Sequence, residues 1–201
     1  MKCLFSIIFL FLVFGGRAQV KPVRKPDQKP WNPKEADSSP MDMNYWPSDY
    51  PHLKLNGSAK TMPVARVIYS RPSRTGRTGR ALFGGEIPYG EVYRIGANEA
   101  AEIEFFSDVK ISNKLIPKGR YTMYYIVERD TWTIIINSDN YSWGHFSYRA
   151  AKDVLRKTVS ISRGNDVTEM FTMYFENTKT GANLIMLWDD IKASIPMIQA
   201  K

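Results

Sequence analysis

The residues best equipped for chemistry lie between Tyr69 and Glu99. Arg71, Arg74, Arg77, Arg80 and Arg94 share that stretch with six glycines, and it ends on the pair Asn98-Glu99. Glycine lets the backbone turn tightly, and a guanidinium forks onto carboxylates and other anions. Read as a ligand site, Arg71, Arg77, Arg80 and Arg94 supply the cations, while the Asn98 amide and the Glu99 carboxylate orient hydroxyl groups. Read as structure, Arg94 pairs with Glu99, and Asn98 caps the turn through its own backbone. The expected arrangement is one mutually hydrogen-bonded cluster of Arg94, Asn98, Glu99 and an arginine of the Arg71–Arg80 loop.

A second group of candidates surrounds His145. Tyr141, Trp143, Phe146 and Tyr148 crowd one loop. Exposed, these four rings, Trp143 and Tyr148 foremost, would offer a flat stacking platform to a sugar ring; buried, they would plug one end of the sandwich. Catalysis has two candidates, Glu99 as an acid or base and His145 in a Ser-His-Asp arrangement, but no G-x-S-x-G elbow accompanies the histidine. Glu102 and Glu104 sit two apart on one strand face, which suits a solvated face better than a glycosidase pair. His52 and His145 are the only histidines. With so few nitrogen ligands and no thiolate in the mature chain, neither a metal nor a cofactor is expected.

The N-terminus reads as a secretory signal peptide, residues 1–18. Met1-Lys2 is a short positive start, Cys3 to Phe14 is almost wholly apolar, and Gly16 and Ala18 stand at −3 and −1 of a cleavage after Ala18. The apolar run is too short for a comfortable transmembrane helix, which needs about 20 residues. Cys3 is the single cysteine, so the mature chain should hold no disulfide and work in the periplasm or outside the cell. Residues 19–56 form a basic tail punctuated by Pro22, Pro26, Pro30, Pro33, Pro40, Pro47 and Pro51. Its first part, Gln19 to Asp37, should be an extended, disordered tether. Met41–Leu55 carries Tyr45, Trp46, Tyr50 and Leu53, aromatic and apolar residues that should dock on the domain surface or on a partner.

Residues 57–201 have the periodicity of strands. Ala65-Val67-Tyr69, Ile103-Phe105, Trp132-Ile134-Ile136, Phe171-Met173-Phe175 and Leu184-Met186-Trp188 each place apolar residues at alternate positions. Tyr121–Val127 and Thr131–Asn137, joined by Glu128-Arg129-Asp130, read as a hairpin. Gly164-Asn165-Asp166 reads as a breaker. No segment has a helical period, and Tyr148–Leu155 has room for one short turn. The expected fold is all-β, an antiparallel β-sandwich or jelly roll of about nine strands.

With those elements placed, the run Ser70-Arg71-Pro72, Phe83-Gly84, Pro88-Tyr89-Gly90-Glu91-Val92, Arg94 and Gly96-Ala97-Asn98-Glu99-Ala100 resembles a secreted domain of unknown function, family 2911, common in Bacteroidetes. Pro117-Lys118-Gly119-Arg120-Tyr121, Trp143-Gly144, Lys152-Asp153-Val154 and Leu187-Trp188-Asp189 extend the likeness. It implies a β-rich extracytoplasmic domain and brings no established activity. Two departures stand out. Tyr93 replaces an expected tryptophan, and the doubled Gly-Arg unit leaves either Arg77 or Arg80 as the family arginine. The family is sometimes labelled "asparagine synthetase B", a chemistry this chain does not fit. Such an enzyme needs an N-terminal nucleophilic cysteine, and a phosphate loop GxxxxGK[ST] is absent as well.

The formal net charge is +8, of which Lys2 and Arg17 leave with the signal peptide. A basic excess suits glycans, small anions or acidic envelope proteins as partners. Nucleic acid is excluded by compartment and by the lack of a recognition motif. The sequence thus leads to a non-catalytic binding or accessory module of the cell envelope. The alternatives are a hydrolase acting through Glu99 and a structural subunit of an envelope complex.

Overall fold

A computed structural model describes residues 34, 36–75 and 81–200. The signal pattern, nearly all of the Gln19–Asp37 tether, and Arg77 and Arg80 lie outside the described residues. The fold is antiparallel and almost wholly β. Among the described residues ten strands follow in chain order: β1 (Met41–Trp46), β2 (Ala65–Ser70), β3 (Val92–Arg94), β4 (Glu102–Phe105), β5 (Val109–Ile111), β6 (Lys114–Ile116), β7 (Gly119–Val127), β8 (Thr131–Asn137), β9 (Asp153–Asn177) and β10 (Ala182–Gln199). They pair in the order β1-β2-β4-β7-β8-β9-β10-β5-β6, with β3 beside β7. Among the described residues, α1 (Tyr50–Leu55) is a short α-helix and Ala150–Lys152 a 3₁₀ turn.

The strands form where β-branched and aromatic residues alternate with polar ones, because such side chains pack well on a pleated surface. The hairpin of β7 and β8 holds the register Val127↔Trp132 to Thr122↔Asn137. Met41–Trp46 is a strand of this sheet, paired with β2 from Met41↔Ser70 to Trp46↔Ala65. Pro51 is the second residue of α1, in the first turn, where backbone amides have no intrahelical partner to lose.

One strand joins the two halves. β9 pairs with β8 through Asp153–Ser160 and with β10 from Ile161 onward. Gly164-Asn165-Asp166 does not end the strand. The irregularity is absorbed as a register slip between Asp189↔Thr168 and Ile191↔Arg163, with Asp189 in the left-handed region at φ 56°. Bulges bend a strand and increase its twist, and here the bend lets the sheet close over its own core. Aromatic rings meet across that core. Tyr69 and Phe171 are edge-on at 5.8 Å, Phe171 and Trp188 at 5.6 Å, and Phe83 lies 5.3 Å from Trp132.

β7 and β8 depart from simple alternation. Tyr121 to Tyr125 and Ile134 to Asn137 are buried without interruption, the signature of strands covered on both faces. The second cover is the segment after β8. Its Tyr148 packs on the outer face with Val92, Ala100, Tyr124, Ile126 and Ile135 as a small second core. Asn137 anchors this cover. Its amide donates to Arg149 O (3.0 Å) and Asp153 Oδ1 (2.8 Å), and its Oδ1 accepts from the Asp139 amide (2.8 Å).

Phe171 joins the two halves of the sheet through Tyr69 and Trp188. Phe171→Ala should therefore destabilise the fold by about 3–5 kcal/mol in urea unfolding. Val167→Ala, on an exposed stretch of the same strand, should stay within about 0.5 kcal/mol. Equal losses at both positions would contradict this account of the core.

Candidate functional site

The Gly96–Ala100 turn and the Ser142–Gly144 loop are far apart in sequence and joined in space. Gly144 N donates to Asn98 O (2.8 Å) and Ala100 N to Ser142 O (3.0 Å), with Glu99 and Trp143 bridged between them. The turn needs unusual backbone. Gly96 has φ 88°, and a Cβ there would stand 3.2 Å from Ser70 O. Asn98 sits at φ 57° and Tyr141 at φ 64°. Asparagine tolerates the left-handed region, whereas for a bulky residue such as Tyr141 it is uncommon and costs strain.

Most of the sequence candidates come together here, but not as the cluster expected. Asn98 spends its side chain on the segment before β1: Nδ2 donates to Asp37 O (2.7 Å) and Oδ1 accepts from Asp37 N (2.9 Å). Glu99 is exposed and makes no ion pair with Arg94. The turn reverses the chain between them, so Glu99 lines a cleft on the β1-β2-β4 side while Arg94 stays beneath the His145 loop. Arg71 is occupied elsewhere. It donates to Phe171 O (3.3 Å) and Thr172 Oγ1 (3.1 Å) and pairs with Asp42 (3.3 Å), stapling β1 and β2 to β9.

The cleft, of 460 Å³, opens on the outer face of the sheet. Met41, Ile68 and Ala100 supply apolar wall, Glu99 and Glu102 supply carboxylates, and Tyr141 closes one side. Tyr141 is 80% exposed and Trp143 37%. Tyr148 is no platform, since its ring lies 5.1 Å from Tyr124 and its hydroxyl donates to Asp153 (2.6 Å). The flat exposed ring beside the cleft is therefore Tyr141. Its sequence signal was only its place among the loop's aromatics. Glu102 and Glu104 alternate with arginines across the strands: Arg66–Glu104 at 2.7 Å, Arg120–Glu104 at 3.8 Å and Arg120–Glu102 at 3.7 Å. That is a cross-strand charge ladder, not a glycosidase pair.

His145 lies half-buried between rings, 4.3 Å from Tyr93 and 4.8 Å from Phe146. Burial, and then the Arg94 charge, push its pKa down to about 4. Its Nδ1 is buried and has no hydrogen-bond partner, so no carboxylate orients the ring as a Ser-His-Asp relay requires. Among the described residues, no group of three or more His, Cys, Asp or Glu side chains is placed to hold a metal ion. No helix among them is long and apolar enough to cross a membrane.

With this geometry in place, the chain can be assigned. It is a β-rich member of the family described as "Protein of unknown function (DUF2911)", which it matches over residues 54–197. No curated protein and no solved structure shows significant similarity to it.

The depressed His145 pKa has a consequence for stability. The unfolded histidine takes up a proton below its ordinary value of about 6.5, while the folded one stays neutral down to about 4. Folding stability should therefore be complete above pH 6.5 and fall between pH 6.5 and about 4, the direction linkage requires when the unfolded state binds more protons. Denaturant midpoints across that range, for wild type and His145→Gln, check this. The variant's profile should be flatter, and an unchanged slope would contradict the assignment.

Proposed function

We propose that this protein is a non-catalytic ligand-binding module working outside the cytoplasm, and that its ligand seats in the cleft beside Tyr141. The observation that carries this reading is the cleft itself. It falls in the 300–1,000 Å³ range usual for small-molecule sites, and residues of the Gly96–Ala100 turn form its wall. An exposed aromatic face, an unpaired carboxylate at Glu99 and a second carboxylate at Glu102 suit a ring with hydroxyl groups on its edge. Apolar C–H faces stack on the tyrosine while hydroxyls donate to the carboxylates. An envelope glycan has that chemistry. The extracytoplasmic setting rests on the signal pattern of residues 1–18.

Catalysis has less support. Glu99 lines the cleft, but the described residues around it offer no second carboxylate free of arginine partners, and His145 lacks an orienting acid. A structural role inside an envelope complex draws on one observation, the exposed Met41 and Met43 of edge strand β1.

Calorimetric titration with soluble oligosaccharides of neutral hexoses and of N-acetylated amino sugars tests the proposal. One class should bind, with Tyr141→Ala and Glu99→Gln each weakening it about tenfold or more, roughly 1.4 kcal/mol. Both variants should melt as the wild type does, since the positions are exposed. Binding untouched by either change would remove the cleft as the site. Cleavage of the oligosaccharide that is lost in Glu99→Gln would establish the hydrolase instead.

A further inference from the structure

The cleft beside Tyr141 is acidic in a chain that is basic. The formal net charge is +8, yet the charged residues lining the cleft are Glu99 and Glu102, and no lysine or arginine is among them. Glu102 stands on the outer face in the row Ile68↔Glu102↔Thr122, and Glu99 lines the same cleft from the Gly96–Ala100 turn. The ladder arginines sit one row further along, on either side of Glu104. Arg66 gives its 2.7 Å contact to Glu104, and Arg120 divides itself between Glu104 at 3.8 Å and Glu102 at 3.7 Å. Those last two distances are too long for hydrogen bonds. Neither Glu99 nor Glu102 accepts a side-chain hydrogen bond from any described residue, so both carboxylates keep their acceptor sites for something else. Tyr141, 80% exposed and held at φ 64°, completes the wall.

We propose that the cleft recognises a free amino group: its ligand is an amino sugar carrying a primary ammonium in place of an acetamide. This deepens the reading of the cleft as a ligand site and rests on it. A carboxylate only accepts hydrogen bonds and a primary ammonium only donates them. The two glutamates and the cation are therefore complementary in charge and in donor pattern, and charge-assisted bonds are roughly twice as strong as neutral ones. The Tyr141 ring adds the negative face of its π-system, which attracts a cation within about 6 Å of the ring centre. Met41, Ile68 and Ala100 take the apolar edge of the sugar. A quaternary ammonium fits less well, because it cannot donate and one exposed ring makes no aromatic cage. An acetamide brings a single N–H and no charge, and would leave one carboxylate desolvated without a partner. The charge of the whole chain repels a cation at long range, so a preference for the amine has to come from the cleft itself.

The test is calorimetric titration of the mature chain with a short oligosaccharide of N-acetylglucosamine and with its fully deacetylated counterpart, at about pH 6, where a primary amine is charged. The deacetylated sugar should bind about tenfold more tightly or better, at one site per chain. Glu99→Gln and Glu102→Gln should each cut that preference several-fold, and Tyr141→Ala should weaken both sugars. If Glu102→Gln does not fold, Glu99→Gln, at an exposed position, decides the matter. Equal affinity for the two sugars, or a preference for the acetylated one, would overturn the amine while leaving the cleft as a glycan site. A preference for the amine that survives both glutamate changes would overturn it as well. If neither sugar binds, the amine falls, and titration with the neutral hexoses then decides whether the cleft falls with it.

Discussion

Two backbone hydrogen bonds, Gly144 N to Asn98 O and Ala100 N to Ser142 O, hold the part of this structure that can do chemistry. Each contributes only about 1 kcal/mol net. Their importance is geometric. They fix two left-handed residues, Asn98, which tolerates that conformation, and Tyr141, for which it costs strain. They also close a lid over Tyr124 and Ile135 on the outer face of the sheet. The cleft borders this clasp through Glu99, Ala100 and Ser142. If the clasp opens, the cleft loses a wall.

The clasp is itself supported at two points. Asn137, buried and fully hydrogen-bonded, ties the start of the covering loop to its end at Asp153. Asn98 ties the turn to Asp37 and so to the approach to β1. The polar side chains of this region therefore divide their work. Asparagines and aspartates fasten loops, arginines such as Arg71 and Arg149 staple segments, and Arg94 alone among the described arginines of the region is left without a protein acceptor. A residue whose partners are all accounted for belongs to the fold, and one that lacks them stands as a candidate for ligand.

Much of the fold was legible in the sequence because strand periodicity is a local signal. Ala65–Tyr69 and the Tyr121–Asn137 hairpin are found as strands close to the expected bounds. What local pattern could not convey was the response of strands to one another. Gly164-Asn165-Asp166 looks like a turn, yet pairing with β10 carries β9 through it as a bulge. The helix Tyr50–Leu55 is too short to show a period. The site was legible as a neighbourhood and not as an arrangement. Arg94, Asn98, Glu99, Trp143 and His145 do converge, but the arginine–glutamate pairing inferred from charge gives way to a turn that sends the two side chains to different sides.

Native-state hydrogen exchange measured at the Ala100 and Gly144 amides tests the central claim most directly. Both donate only to the partner loop, so their protection reports the clasp and nothing else. Protection comparable to that of the Met123 amide, which donates to Ala101 O within the sheet, is the result this account predicts. Exchange at the rate of an exposed loop would contradict it, because a clasp that opens freely could not hold the cleft in place.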